Sequence, residues 1–394
     1  MTESDLRSEL SCLPPTLAAR LERAGFDSER LLRLAGPLFA RARGEQTLDR
    51  QERNRIEGPV EGPRVDDVHD APVPGTPQHD RLASIGREAI RRGQLAFCVM
   101  AGGMATRMGG VVKALVEALD GRTFLDLRLS ENASQSKRAG APVSLWLMTS
   151  EATDGPIREA LASRGAGPHV ATFTQDLSLR LTREGRLFRD DDGNPSTYAP
   201  GHGDLPDALR RSGLLETFLR RGGRAVWIAN LDNLGATIDE ALLGQFIELR
   251  KTVVVEVAPK TGGDRGGIPV WADAKDAMER KVRRLQVLEE FRLPSGFDAE
   301  AVRVFNTNTF LVDAAMLARA RVHCHWFEVE KTVGNRMAVQ FERLLQEITA
   351  ETDAAYVRVP REGSVSRFLP VKDFDELARR QAEIRAVAGA RGMI

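Results

Sequence analysis

The chain has no excess of either charge: 56 lysines and arginines stand against 56 aspartates and glutamates. That balance argues against a protein that binds nucleic acid polymers through bulk charge, and no acidic tail stands apart from it. No run approaches the roughly 20 apolar residues that a membrane-spanning helix needs. The opening residues, Met1-Thr2-Glu3-Ser4-Asp5-Leu6-Arg7, lack the basic-then-apolar order of a secretory leader. Cysteine is scarce. Cys12, Cys98 and Cys324 are odd in number and scattered, so they make no disulfide framework and read as the reduced thiols of a cytoplasmic protein. No segment repeats.

What is present is length and alternation. A chain of 394 residues can bury a large core and still carry appendages. Up to residue 50, Leu17, Leu21, Leu31, Leu32 and Leu34 recur among Arg and Glu at helical spacing. From Glu57 to Gln78, Pro, Gly and Asp predict an extended connection. Helical spacing resumes from Arg81 to Arg92. Apolar runs then follow at 95–100, 143–149, 225–230, 253–258 and 302–307, separated by helical stretches such as DALRRSGLLETFLRRG. Strands spaced by helices predict an α/β fold with a mainly parallel sheet, whose ligands bind beyond the carboxyl ends of the strands. The expected organisation is an N-terminal helical region and linker over 1–85 and a single α/β domain over 86–394, ending in a short helical tail.

The first apolar run leads into FCVMAGGMATRMGGVVKAL, Phe97 to Leu115. Neither common phosphate fingerprint fits. Gly102-Gly103-Met104-Ala105-Thr106-Arg107 is not G-x-G-x-x-G, and Gly109-Gly110 is followed by Val111 rather than by G-K-[ST]. What remains is G-G-x-x-T-R-x-G with Lys113 shortly after. Glycines let backbone N–H groups approach phosphate oxygens, and Arg107 and Lys113 add fixed positive charge.

This stretch resembles the signature loop of the UDP-sugar pyrophosphorylases, G-G-x-G-T-R-L-G…P-K. Five more segments match in family order: YAPGHGDLPDALRRSGLLETF (198–218), NLDNLGATID (230–239), VEVAPKTGGDRGG (255–267), VFNTNTFLVD (304–313) and RFLPVKDFDEL (367–377). KTVGNRMAVQFERLLQE (331–347) matches more weakly. The wording of G-H-G-D and F-L-P-V-K is most similar to the UTP–glucose-1-phosphate uridylyltransferases. The resemblance implies a Rossmann-like nucleotidyltransferase fold and a reaction in which UTP and glucose 1-phosphate give UDP-glucose and pyrophosphate.

Roles follow by the same resemblance. Gly102, Gly103, Thr106 and Arg107 would cradle the triphosphate, and Lys113 would hold phosphates near the reacting centre. Lys372 would clamp the phosphate linkage. Asp232 would bind Mg²⁺, which takes one or two carboxylates and completes its shell with phosphate and water; on local sequence alone a helix cap is the better reading. Gly201, His202 and Gly203, with Gln175, would meet the nucleotide, the glutamine amide matching uracil's donor and acceptors. Asn233, Gly267, Glu289, Asn306 and Asn308 would meet the sugar; on a regular strand Asn306 and Asn308 share one side. Lys260 would support the site.

Ala105 stands where the family has glycine, so a methyl group falls where a positive φ is expected. Val112 replaces a proline, and Lys113 follows one residue sooner. Family members usually continue into a C-terminal β-helix domain, for which Asp373 to Ile394 leaves no room, so a monomer or weak dimer is expected. Two alternatives stay open: a pyrophosphorylase for another sugar 1-phosphate, N-acetylhexosamine included, and a UDP-sugar-binding homologue without catalysis. His323, Cys324 and His325 in VHCHWFEVEK do not make a zinc site, which needs four ligands.

Overall fold

The computed structural model describes residues 2–105, 108–264, 266–275, 280–319 and 325–394. Eight strands form the central sheet: β1 (Val68–Asp70), β2 (Leu95–Met100), β3 (Ser144–Thr149), β4 (Val170–Thr174), β5 (Ala225–Asn230), β6 (Val253–Pro259), β7 (Val304–Asp313) and β8 (Ala354–Arg358). Their order across the sheet is β1-β8-β6-β7-β5-β2-β3-β4. β7 runs antiparallel to both its neighbours, and the other five pairings are parallel. The fold is therefore the expected α/β fold, with one reversed strand near its middle.

Continuous apolar runs build this sheet because both faces are covered. All six residues of β2 are buried. Leu95, Phe97 and Val99 enter one core, and Ala96, Cys98 and Met100 enter the other, as strand alternation requires. Helices Pro77–Arg91 and Glu240–Leu249 cross very closely over the first core. A Cβ at Gly86 would lie 1.9 Å from the Glu240 carbonyl oxygen, and one at Gly244 would lie 2.0 Å from that of Leu82. Only glycine at both positions permits this approach.

Several expectations need correction. The stretch from Glu57 to Gln78 is not wholly a connection: Val68–Asp70 pairs with β8 as an edge strand. DALRRSGLLETFLRRG forms two helices, Leu205–Arg211 and Leu214–Arg220, broken at Gly213 with φ of 75°. The last helical stretch divides into Phe374–Arg379 and Gln381–Ala390. The boundary at residue 85 falls inside helix Pro77–Arg91, whose face is buried against the α/β core. The first three helices, Glu3–Ser11, Pro15–Arg23 and Ser28–Ala42, share a core with Leu177, Leu179, Leu181, Val339 and Phe341. Beginning and middle of the chain are thus packed as one body. Among the described residues no helix is long and apolar enough to cross a membrane.

Candidate active site

The parallel strands β2 and β5 deliver their carboxyl ends to one edge of the sheet, and the residues singled out in the sequence follow them. After β2 the chain turns back on itself. Met104 and Ala105 pair antiparallel with Val112 and Val111, and the Gly110 N–H donates to the Ala105 carbonyl at 3.0 Å. Gly109 and Gly110 both have positive φ, 82° and 73°. The glycine loop is therefore a small hairpin rather than a strand-to-helix turn. Ala105 is an extended, buried residue of that hairpin, so the positive φ expected there is absent and its methyl group is accommodated. Thr106 and Arg107 lie outside the described residues. At the hairpin's base the Lys113 N–H donates to the Gly103 carbonyl at 3.3 Å. A Cβ at Gly102 would sit 2.3 Å from Gln175 Oε1. The bare backbone of the loop thus admits the side chain proposed for uracil.

Lys113 Nζ makes an ion pair with Asp232 Oδ2, both side chains being about one-fifth exposed at 17% and 20%. Asp232 is no helix cap: the next helix starts at Glu240 and its cap is Asp239. The turn that carries Asp232 is held from below by a residue that sequence reasoning missed. Arg128, fully buried on helix Phe124–Ala139, donates to the carbonyls of Asn233 at 2.5 Å, Ala236 at 2.9 Å and Asn230 at 3.2 Å, and pairs with Glu131 at 2.8 Å. Glu131 in turn accepts from the Ile238 N–H, and Gln135 donates to the Ile238 carbonyl. Residues 128, 131 and 135 form one polar helical stripe turned inward. The signal was legible as charged and amide residues at i, i+3 and i+7 in LRLSENASQ.

Asn233 does not fit its sugar-binding assignment. It is 1% exposed, its amide donates to the Arg367 carbonyl at 3.1 Å, and its oxygen accepts from the Leu369 N–H at 2.7 Å. It ties the Asp232 turn to the segment that leads to Lys372. Arg367 secures the same segment from inside. Its guanidinium makes two 2.7 Å contacts with Glu256 on β6 and donates to the Thr237 carbonyl at 2.7 Å. Lys372 itself is exposed, and its backbone N–H donates to Glu376.

On the nucleotide side, Gly201 and Gly203 pack against backbone. Cβ atoms there would fall 2.6 Å from the Arg343 carbonyl oxygen and from the Leu344 nitrogen. Gly201 also has φ of 97°. His202 Nδ1 accepts from the Leu345 N–H at 3.0 Å, which leaves Nε2–H as a donor. Burial lowers its pKa to about 4, so this is a neutral hydrogen-bond donor and not a cation at physiological pH. Beneath it, Asp176, next to Gln175, pairs with Arg211 at 2.8 Å and Arg343 at 3.1 Å. The N-terminal helices reach this cluster too, since the Leu177 N–H donates to the Ala24 carbonyl.

On the other side, Gly267, Glu289, Asn306 and Asn308 come together, though not by strand alternation. Opposite β6, Asn306 pairs with Val257 but Thr309 pairs with Glu256, so β7 bulges between them. Asn308 sits in that bulge with φ of 57°, and its amide donates to Asn230 Oδ1 at 3.1 Å. The Asn306 N–H donates to the Gly267 carbonyl at 2.8 Å. A Cβ at Gly267 would lie 3.1 Å from Glu289 Oε1. Burial, with Glu347 and Glu290 nearby, raises Glu289 to about 7. Lys260 is engaged elsewhere, with the Ala299 carbonyl and Glu300. His323 and Cys324 lie outside the described residues, and the His325 ring packs tilted against Phe327 with centroids 4.8 Å apart. Among the described residues no three His, Cys, Asp or Glu side chains gather as a metal cage.

A mainly parallel sheet with a glycine hairpin, a lysine–aspartate pair and two polar clusters along its carboxyl edge defines an α/β protein with its candidate site at that edge. The family model for UTP–glucose-1-phosphate uridylyltransferase matches residues 64–387, and the chain belongs to that family. Among curated relatives, the UTP–glucose-1-phosphate uridylyltransferase of Hordeum vulgare is 31% identical over 309 residues, covering 74% of this chain and 62% of its own length. That of Saccharomyces cerevisiae is 30% identical over 306 residues, covering 72% and 58%. The chain therefore spans about three-fifths of the length of the curated relatives it matches. A UDP-glucose phosphorylase from Trypanosoma brucei superposes with a TM-score of 0.66 at 23% identity, covering 91% of this chain and 76% of the other. A uridine diphosphate N-acetylglucosamine pyrophosphorylase from the same organism superposes at 0.69 and 21%, covering 81% and 72%. At these identities the two structures establish the shared fold.

Proposed function

We propose that the chain joins UTP to glucose 1-phosphate, releasing pyrophosphate and forming UDP-glucose. The observation that carries this reading is the Lys113–Asp232 pair, set between the glycine hairpin on one strand end and the Arg128-held turn on the next. An oxygen of the sugar phosphate attacks the α-phosphorus in line, and the bond from that phosphorus to the bridging oxygen of pyrophosphate breaks. The nucleophile is already an anion, so no general base is needed; positioning and charge neutralisation supply the rate. Gln175 and the Gly201–Gly203 backbone orient the uridine. His202 offers one neutral donor. Lys113 and Lys372 place positive charge against the phosphates.

Asp232 would hold Mg²⁺. A single carboxylate fits that ion, which takes one or two carboxylates and its remaining ligands from phosphate and water. Bound there, it would neutralise phosphate charge. UTP, glucose 1-phosphate, UDP-glucose and pyrophosphate are thus the proposed partners. The test is a coupled pyrophosphate-release assay with UTP or dTTP against glucose, galactose and N-acetylglucosamine 1-phosphates. Fastest release with UTP and glucose 1-phosphate is expected. Preference for the N-acetylated sugar would move the substrate, and no release with any pair would overturn the reading.

A further inference from the structure

The segment Arg343–Glu347 touches both halves of the cleft in consecutive residues. The Arg343 carbonyl accepts from the Gly203 N–H at 3.0 Å, and the Leu345 N–H donates to His202. One residue on, Gln346 turns to the opposite cluster and its Nε2 donates to Glu289 Oε1. Glu347 then pairs with Arg292 at 2.6 Å. Gln346 is 2% exposed, and its own oxygen is buried without a hydrogen-bond donor among the described residues. A buried acceptor left unpaired is costly, and a side chain that keeps one is usually placed for a ligand or a network around it.

We propose that Gln346 is a positioning residue for sugar recognition: it holds the Glu289 carboxyl group beside Gly267 and Asn306, in the orientation that accepts from a sugar hydroxyl. This rests on the reading of the cleft as a UDP-sugar site. Glu289 lies near two further carboxylates, Glu290 and Glu347. Among the described residues only Glu347 of the three is in an ion pair, with Arg292. Without the amide donor, Glu289 would turn away from that negative neighbourhood, and a hydroxyl of the wrong configuration would meet less discrimination. Sites that hydrogen-bond a substrate hydroxyl reject analogues lacking it far better than apolar pockets do.

The experiment compares UDP-glucose with UDP by calorimetric titration, so that the sugar's contribution is read without turnover. In the wild type UDP-glucose should bind more tightly than UDP. Gln346→Leu should reduce that advantage by about tenfold while leaving UDP within about twofold. Gln346→Met, closer in shape and flexibility, serves if the leucine variant does not fold. In steady state the KM for glucose 1-phosphate should rise with the KM for UTP unchanged, and discrimination against galactose 1-phosphate should fall. An unchanged ratio of UDP-glucose to UDP affinity in the folded variants would overturn the proposal, as would a wild type that binds both equally. Absence of pyrophosphate release by the wild type is a separate result: it removes the proposed reaction, while the titration still decides the role of Gln346.

Discussion

Replacing Arg128 by methionine removes the cation beneath the Asp232 turn while roughly keeping its volume. The side chain is fully buried, and so is its partner Glu131. Breaking a buried pair by deleting one member costs about 3–5 kcal/mol, because the other charge is left without compensation. Arg128 also satisfies the carbonyls of Asn230, Asn233 and Ala236. The Asn230 and Asn233 carbonyls also accept from the Asn233 and Ala236 N–H groups, so the Ala236 carbonyl is the one that loses its donor among the described residues, at about 1 kcal/mol or more. A total near 5 kcal/mol is a large part of the roughly 5–15 kcal/mol that holds a domain folded. Arg128→Met should therefore unfold at much lower urea concentration. Adding Glu131→Met separates the contributions. Apolar replacement of a whole buried pair is often neutral, so most of the charge penalty should return, leaving a deficit of about 2 kcal/mol from the Ala236 carbonyl and from the Ile238 N–H that loses Glu131. Turnover should stay depressed in the double variant, because the turn that carries Asp232 is then held only from the Arg367–Leu369 side, through Asn233. Equilibrium urea unfolding and initial rates of pyrophosphate release measure the two effects. A single variant that loses less than about 1 kcal/mol, or a double variant with full turnover, would refute the reasoning.

Lys372→Met should lower turnover about a hundredfold, near 3 kcal/mol of lost charge stabilisation, with unchanged unfolding; wild-type rates would remove this lysine from the mechanism. Asp232→Asn keeps shape and hydrogen bonding but not charge, so most turnover should vanish and excess Mg²⁺ should restore it only in part. Near-normal rates across a Mg²⁺ titration would sink that assignment. Glu289 has its pKa raised to about 7 from an ordinary 4.5, so the folded chain keeps a proton that the unfolded chain releases. Its contribution to stability is therefore lost as pH climbs from about 4.5 through 7. Glu289→Gln, still facing Gln346, Glu290 and the Arg292-paired Glu347, should gain stability relative to wild type at pH 8 compared with pH 5, which urea midpoints at the two pH values would show. Gly86→Ala forces a methyl group toward the Glu240 carbonyl and should cost about 3 kcal/mol or more as two helices are pushed apart, measurable by thermal unfolding.

Much of this was readable without coordinates. Short runs made almost wholly of apolar residues announce a strand covered on both faces, so β2, β3, β5 and β6 were legible, and each has at least five consecutive buried residues. The glycine loop was legible by residue type and spacing, Asp232 and Lys372 through the resemblance to the family, and Lys113 and Asp232 prove to meet. Asn233 was misread, because a polar side chain in a motif looks the same whether it faces a ligand or two backbone groups. Asn306 and Asn308 were grouped for a wrong reason, since a β-bulge leaves no mark in an alternation count.

Legible in the sequence alone were the alternation of buried strands with helices, the edge of the sheet at which chemistry collects, and the family. These depend on local periodicity and on short motifs, which a single chain displays directly. Only the tertiary structure decided that Arg128 and Arg367 hold the two loops of the cleft, that the N-terminal helices brace the Asp176 cluster, and that Gln346 reaches Glu289. Each of these is a contact between residues far apart along the chain, several of them polar groups taken out of water. Burial alone makes such groups significant, and burial is a property of the packed whole.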